Sequence, residues 1–188
     1  MNDAVTRKAA PGEWSVGARR IRLGDAEQAR ATGGLIALYP RVVDAQTLAI
    51  PAGEPQQDLH LTLAVFGNDV SGLDADELEW RLEDLAAANI HPIEAQVFGH
   101  GVIKSHLGAS DAAVVYLVGD SPFLAPLRHR ALELSEKSSL FPAQHEPWVP
   151  HITAAYGPSD SILTYVGPVV FDRIGLSWAG RITSFPLS

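Results

Sequence analysis

The 188-residue sequence contains no cysteine. That single absence excludes disulfide frameworks, thiolate zinc sites, iron–sulfur clusters and a cysteine nucleophile. Lysine is scarce as well: of 14 basic residues only Lys8, Lys104 and Lys137 are lysines, and 22 acidic residues bring the formal net charge to −8. With no basic run, the chain is poorly suited to holding a long duplex by phosphate neutralisation, so any nucleic-acid ligand is expected to be small. Long apolar runs are missing too. The longest, residues 112–118, is AAVVYLV, against the roughly 20 residues that cross a bilayer. The N-terminal MNDAVTRKAAPGEW lacks the apolar stretch of about 7–15 residues that a secretory signal needs, so no membrane partner is expected and the cytoplasm is the default location.

What remains is ordinary globular material. About 46% of the residues are apolar and 19% charged, enough for one domain or for two small lobes sharing a core. Residues 1–32 mix charge and glycine around one short candidate helix at 25–31 and read as an extension. The domain proper is expected over residues 33–188. Within it, GLIALY (34–39) reads as a buried strand stopped by Pro40, PAGEP (51–55) as a loop and DLHLTLAVF (58–66) as a second strand. Asp74 and Glu77 suggest a capping box ahead of a helix striped by Leu78, Leu82 and Leu85. Residues 93–103 and 112–118 read as a strand pair. Ser121 and Pro122 are placed to start a helix striped by Leu124, Leu127, Ala131 and Leu134. Strands are expected again over 151–156, 169–178 and 181–185. The order resembles a strand-rich unit followed by a helix, given twice, which predicts an α+β domain with an internal pseudo-twofold around a central cleft.

Two segments repeat each other: LHLTL (59–63) and PHITA (150–154), each His-x-Thr inside a strand. Seven histidines and seven threonines in 188 residues predict about 0.26 chance matches, and two together on the order of 0.03, so the pair carries weight that one match would not. The two-residue period turns His60 and Thr62 to one face and Leu61 and Leu63 to the other, and treats His151 and Thr153 alike. An imidazole with an ordinary pKa near 6.5 takes or gives a proton at neutral pH, and two across a cleft can act as base and acid in one displacement. Neighbouring threonine hydroxyls can donate to non-bridging phosphate oxygens. The combination points to phosphodiester chemistry without a metal.

On these residues the chain resembles the two-histidine (2H) phosphoesterase superfamily, which includes 2′–5′ RNA ligase-like proteins and cyclic phosphodiesterases. DLHLTLAVFG and PWVPHITAAYG look like its motif strands, over roughly residues 33–178. The resemblance implies a bilobal fold of two pseudo-symmetric antiparallel lobes with flanking helices. It implies His60 and His151 as the catalytic pair, Thr62 and Thr153 as phosphate binders, no cofactor and no metal. LAIPAGEPQQDLHLTLAVFG and AAVVYLVGDSPFLAPLRH look most like phage and actinobacterial members. Some phage members degrade the cyclic oligonucleotide signals of anti-phage (CBASS) defence in the host cytoplasm, which makes a cyclic oligonucleotide the specific substrate implied. Processing of 2′,3′-cyclic phosphate RNA ends, or a nucleotide-binding module that does not cleave, are the rival readings. Neither base identity nor oligomeric state is legible.

Tyr39, Trp148 and Trp178 are the candidates for stacking on a base. His91, His100 and His106 match no zinc spacing, Gly99-His-Gly101 lacks the third glycine of a dinucleotide fingerprint, and the acidic residues from Asp74 to Asp84 read as a solvated helix face.

Overall fold

Apolar residues on both sides of a short run produce a strand covered on both faces, and GLIALYP does this as β1 (Gly34–Pro40), buried from Ile36 through Tyr39. The computed structural model describes residues 32–88, 91–103, 112–143, 147–156 and 162–187. The candidate helix at 25–31 and His106 lie outside the described residues. The other strands are β2 (Leu61–Gly67), β3 (Ile93–Ile103), β4 (Ala113–Gly119), β5 (His151–Tyr156), β6 (Gly167–Trp178) and β7 (Arg181–Pro186). The helices are α1 (Val42–Leu48), α2 (Asp76–Ala87) and α3 (Leu124–Lys137).

Every pairing is antiparallel, in the order β1-β2-β5-β4-β3-β6-β7, and β1 also pairs with β6. Six strands therefore close a ring, with β7 outside it. Long β6 makes this possible: its first part, from Gly167 to Phe171, pairs with β3, and its last part, to Trp178, pairs with β1 and β7. Two lobes result, β2-β1-β6-β7 and β5-β4-β3-β6. They share β6 on one side and meet on the other at a single residue pair, Leu61 opposite Ile152. This is the expected α+β, bilobal architecture.

The repeated unit differs from the expectation. It is strand–helix–strand, β1-α1-β2 and then β4-α3-β5, because α1 leaves no pattern in the sequence. That helix is two turns long, begins with β-branched Val42 and Val43, and buries only Ala45 and Leu48, too little to print a period. It is fixed by Asp44, which accepts from the backbone N–H of Val170 on β6 at 3.0 Å and from Arg41 Nε at 2.9 Å.

Both longer helices bury the leucine stripes read from the sequence, Leu78, Leu82 and Leu85 on α2 and Leu124, Leu127, Ala131 and Leu134 on α3. Their starts differ. α2 begins at Asp76, whose N–H donates to Asp74 Oδ1 at 2.9 Å, while Glu77 pairs with Arg81 in place of closing a capping box. α3 begins after Phe123 with no side-chain cap, so Ser121 is not its N-cap. β6 and β7 are joined by Ala179 and Gly180, both at positive φ (47° and 81°), as a tight hairpin between right-twisted strands demands.

Candidate active site

Each histidine of the repeated motif is held by the same local device. His60 follows a short 3₁₀ turn (Gln56–Asp58) and sits just before β2, which begins at Leu61, three residues later than expected. Its Nδ1 lies 2.6 Å from the carbonyl oxygen of Asp58, two residues back. His151 opens β5, with Nδ1 2.7 Å from the carbonyl oxygen of Val149, also two residues back. A carbonyl oxygen can only accept, so Nδ1 carries the hydrogen in both rings. The neutral tautomer is thereby fixed, and Nε2 is left with the lone pair.

The strands bring the two motifs together at the meeting point of the lobes. Leu61 pairs with Ile152, both fully buried. Continuing that antiparallel register by one residue each way sets His60 across from Thr153 and Thr62 across from His151, on the opposite face of the sheet. All four are half-buried. On that register two imidazoles and two hydroxyls would mark the corners of a square, each histidine facing a threonine, with the histidines on the diagonal, where a regular antiparallel ladder sets Cα atoms about 7–8 Å apart. The same face continues outward in both directions. Ala37 pairs with Thr62 and with Gly175, and Tyr39 pairs with Arg173. On the other side His151 pairs with Leu117 and Thr153 with Val115, and these pair with Gly99 and Gly101.

Two hydrogen bonds keep β2 and β5 from zipping further, and each satisfies a strand carbonyl at the meeting point. Trp148 Nε1 donates to the carbonyl of Thr62 at 3.3 Å, and the backbone N–H of Glu54 donates to the carbonyl of Ala154 at 2.7 Å. Tyr39 closes the His60 side. It is 4% exposed, its ring centroid lies 6.0 Å from the His60 ring at an interplanar angle of 45°, and the Arg173 guanidinium carbon stands 5.7 Å from the Tyr39 centroid. Burial pushes the His60 pKa below the ordinary histidine value, opposed by the bond to the Asp58 carbonyl and by the charge of Glu54. Burial likewise raises the Tyr39 phenol above its usual value.

A family model described as the 2′-5′ RNA ligase superfamily matches residues 36–175. The chain belongs to this superfamily, that of the two-histidine phosphoesterases. No curated protein sequence matches it. Among solved structures, TT0787 of Thermus thermophilus is similar over 83% of this chain and 98% of its own, at 18% identity and a TM-score of 0.56, a likeness of fold. A structure of E. coli LigT complexed with NADP+ matches at 23% identity over 84% of this chain and 95% of its own, with a TM-score of 0.49. A phosphoesterase structure matches at 22% identity over 84% and 96%, also with a TM-score of 0.49.

Of the seven residues singled out from this superfamily member's sequence, His60, Thr62, His151 and Thr153 are gathered at one place. The aromatics divide. Tyr39 stands beside His60 but is buried, so it supports the ring and has no free face for a base. Trp148 is half-buried at the meeting of the lobes, with its indole N–H engaged and the guanidinium carbon of Arg128 5.1 Å from its ring centroid. Trp178 is a core residue, contrary to the stacking role: it is 6% exposed, packs edge-on against Phe66 at 5.0 Å and donates Nε1 to the carbonyl of Leu73. It pairs with Gly34, at the opposite end of β1 from Tyr39. His100 lies 2.7 Å by Nε2 from the carbonyl of Tyr165. Among the described residues no group of three or more His, Cys, Asp or Glu could hold a metal, and no helix is long and apolar enough to cross a membrane.

Arg173, Gly175 and Leu117 also flank the site, and sequence reasoning misses them. Their signal is cross-strand register, which a single sequence does not carry.

Proposed function

We propose that this chain is a phosphodiesterase acting through His60 and His151 on small nucleotides, with cyclic oligonucleotides of the kind cleaved by phage-type members of the superfamily as its substrates. What supports the reading is the register that brings the two His-x-Thr motifs together on one face, with Nδ1 of each ring bonded to the carbonyl two residues back and the lone pair left on Nε2. One Nε2 takes the proton of the ribose 2′-OH as O2′ attacks phosphorus. The other, protonated at the outset, gives its proton to the departing O5′, and a 2′,3′-cyclic phosphate forms. Water then opens the ring with the two histidines in exchanged roles. Thr62 and Thr153 donate to the non-bridging oxygens and hold the phosphorus on the diagonal between the rings. Neither step calls on a metal or a further cofactor.

The 2′-5′ RNA ligase name of the matching family model favours a second substrate for the same site, linear RNA with a 2′,3′-cyclic phosphate end. Incubating the protein with cyclic di- and trinucleotides and with cyclic-phosphate oligonucleotides, in the presence of EDTA, separates the two by which substrate is consumed. Consumption of cyclic oligonucleotides by the wild type and its loss in His60→Ala and His151→Ala support the proposal. Binding of every compound with no turnover would make the chain a nucleotide-binding module.

A further inference from the structure

Glycine weakens a strand interior and calls for a reason: a turn, a collision that a side chain would cause, or a ligand that must come close to the backbone. Strand β3 carries Gly99 and Gly101 two residues apart, on one face. Neither has a positive φ, and among the described residues neither is required by packing. A Cβ on Gly99 would meet Leu117 Cδ1 at 3.9 Å, and one on Gly101 would meet Val115 and Leu117 carbons at 3.7 to 3.9 Å, all ordinary contacts. Gly175 is different, since a Cβ there would lie 2.8 Å from the Tyr39 ring and 2.9 Å from the Thr183 carbonyl.

The two unexplained glycines face the site. A bulge at Phe98, between the pairs Val97–Val118 and Gly99–Leu117, turns them onto the face that carries His151. Gly99 pairs with Leu117, which pairs with His151. Leu117 and both glycines are half-exposed. Beside His151, therefore, lies a stretch of bare backbone edged by the aliphatic side chains of half-exposed Leu117 and buried Val115. Beside His60, the corresponding ground is filled by Tyr39. A nucleoside attached to a phosphate between the two rings is closed off on the first side of the square and free to lie down on the second.

We infer that Gly99, Gly101 and Leu117 form a platform for a nucleobase of the substrate, which lies flat on the backbone of β3 with its attached phosphate at His151. The inference rests on the phosphoesterase reading of the site and adds where the base goes. Valine at either glycine suits a strand and projects into the space the base would occupy.

The test compares binding of adenosine 3′-phosphate and of ribose 3-phosphate, by calorimetric titration, to the wild type, Gly99→Val and Gly101→Val, with thermal melting confirming that the variants are folded. The wild type is expected to prefer the nucleotide by about tenfold, the gain from covering about 60 Å² of apolar surface. The variants should lose that preference and keep their affinity for ribose 3-phosphate. A wild type with no preference, variants that retain it, or variants that lose both ligands equally would each overturn the platform. A wild type that shows the preference yet turns over no phosphodiester would remove the proposed activity and leave the platform standing.

Discussion

His60 and His151 share a motif, a hydrogen bond and a position in related strand–helix–strand units, and their surroundings are opposite. Outward from His60 the sheet face runs through Tyr39 to Arg173, with Gly175 obliged to be glycine by the tyrosine ring above it. Outward from His151 it runs through half-exposed Leu117 to Gly99, with nothing among the described residues obliging the glycine. The first flank is packed and desolvated, the second open and flat. What the two units hold in common is what the proposed chemistry needs, a tautomer with the lone pair on Nε2 in each ring. What they do not share is how much room each side leaves, and that decides how a substrate can lie.

The strongest way to test the common part is to remove it from either side. His60→Ala and His151→Ala are each expected to lower the turnover of a cleaved substrate by about 10²–10⁴-fold, the range for losing a general acid or base. A loss in one variant and full activity in the other, measured under substrate saturation, would mean that the two rings are not partners. The next effect tests the difference between the flanks. Gly175→Ala must displace Tyr39 or the β7 backbone and should cost about 1–3 kcal/mol in denaturant unfolding. Gly101→Ala, its counterpart across the pseudo-twofold, should be neutral or stabilising by up to about 1 kcal/mol. Equal destabilisation by both would erase the contrast.

A smaller effect is expected where the flanks meet. Trp148→Phe keeps the ring and removes the N–H that satisfies the Thr62 carbonyl, a hydrogen bond worth about 0.5–1.5 kcal/mol. A lowered melting temperature with unchanged binding of inorganic phosphate would assign Trp148 to holding the lobes together. Weaker phosphate binding at unchanged stability would assign it to the site itself.

The legible parts of this molecule are those whose signal is local. The bounds of β3 and β5 can be read directly at 93–103 and 151–156, and the leucine stripes of α2 and α3 give their buried faces. The candidate site is half legible: each His-x-Thr motif declares a face, but that the motifs lie antiparallel, each histidine across from the other's threonine on the register of Leu61 with Ile152, is a matter of register between strands some ninety residues apart. Tyr39 sits in a run buried on both faces, so nothing local tells that its ring turns to His60 and not into the helices. Arg173 and Gly175 reach the site through the pairing of β6 with β1, which a single sequence cannot display. Trp178 misleads for a related reason, because a tryptophan near a strand end reads alike whether its neighbour is a cleft or the core.

The last and smallest expected effect is a difference in acid stability. Burial holds the His60 imidazole below its ordinary pKa, which is about 6.5 in an unfolded chain. Above that value neither state binds the proton, and the contribution of His60 to folding is complete. As the pH falls below 6.5 the unfolded chain takes up a proton that the folded protein still refuses, so stability declines until the folded ring also protonates. His60→Gln has no such group and should lose less stability than the wild type between pH 7.5 and pH 5, measured by denaturant unfolding at each pH. If His60→Gln and the wild type decline in parallel, the acid sensitivity belongs to other groups, and the packed flank around Tyr39 does not exclude the charged imidazole as its burial implies.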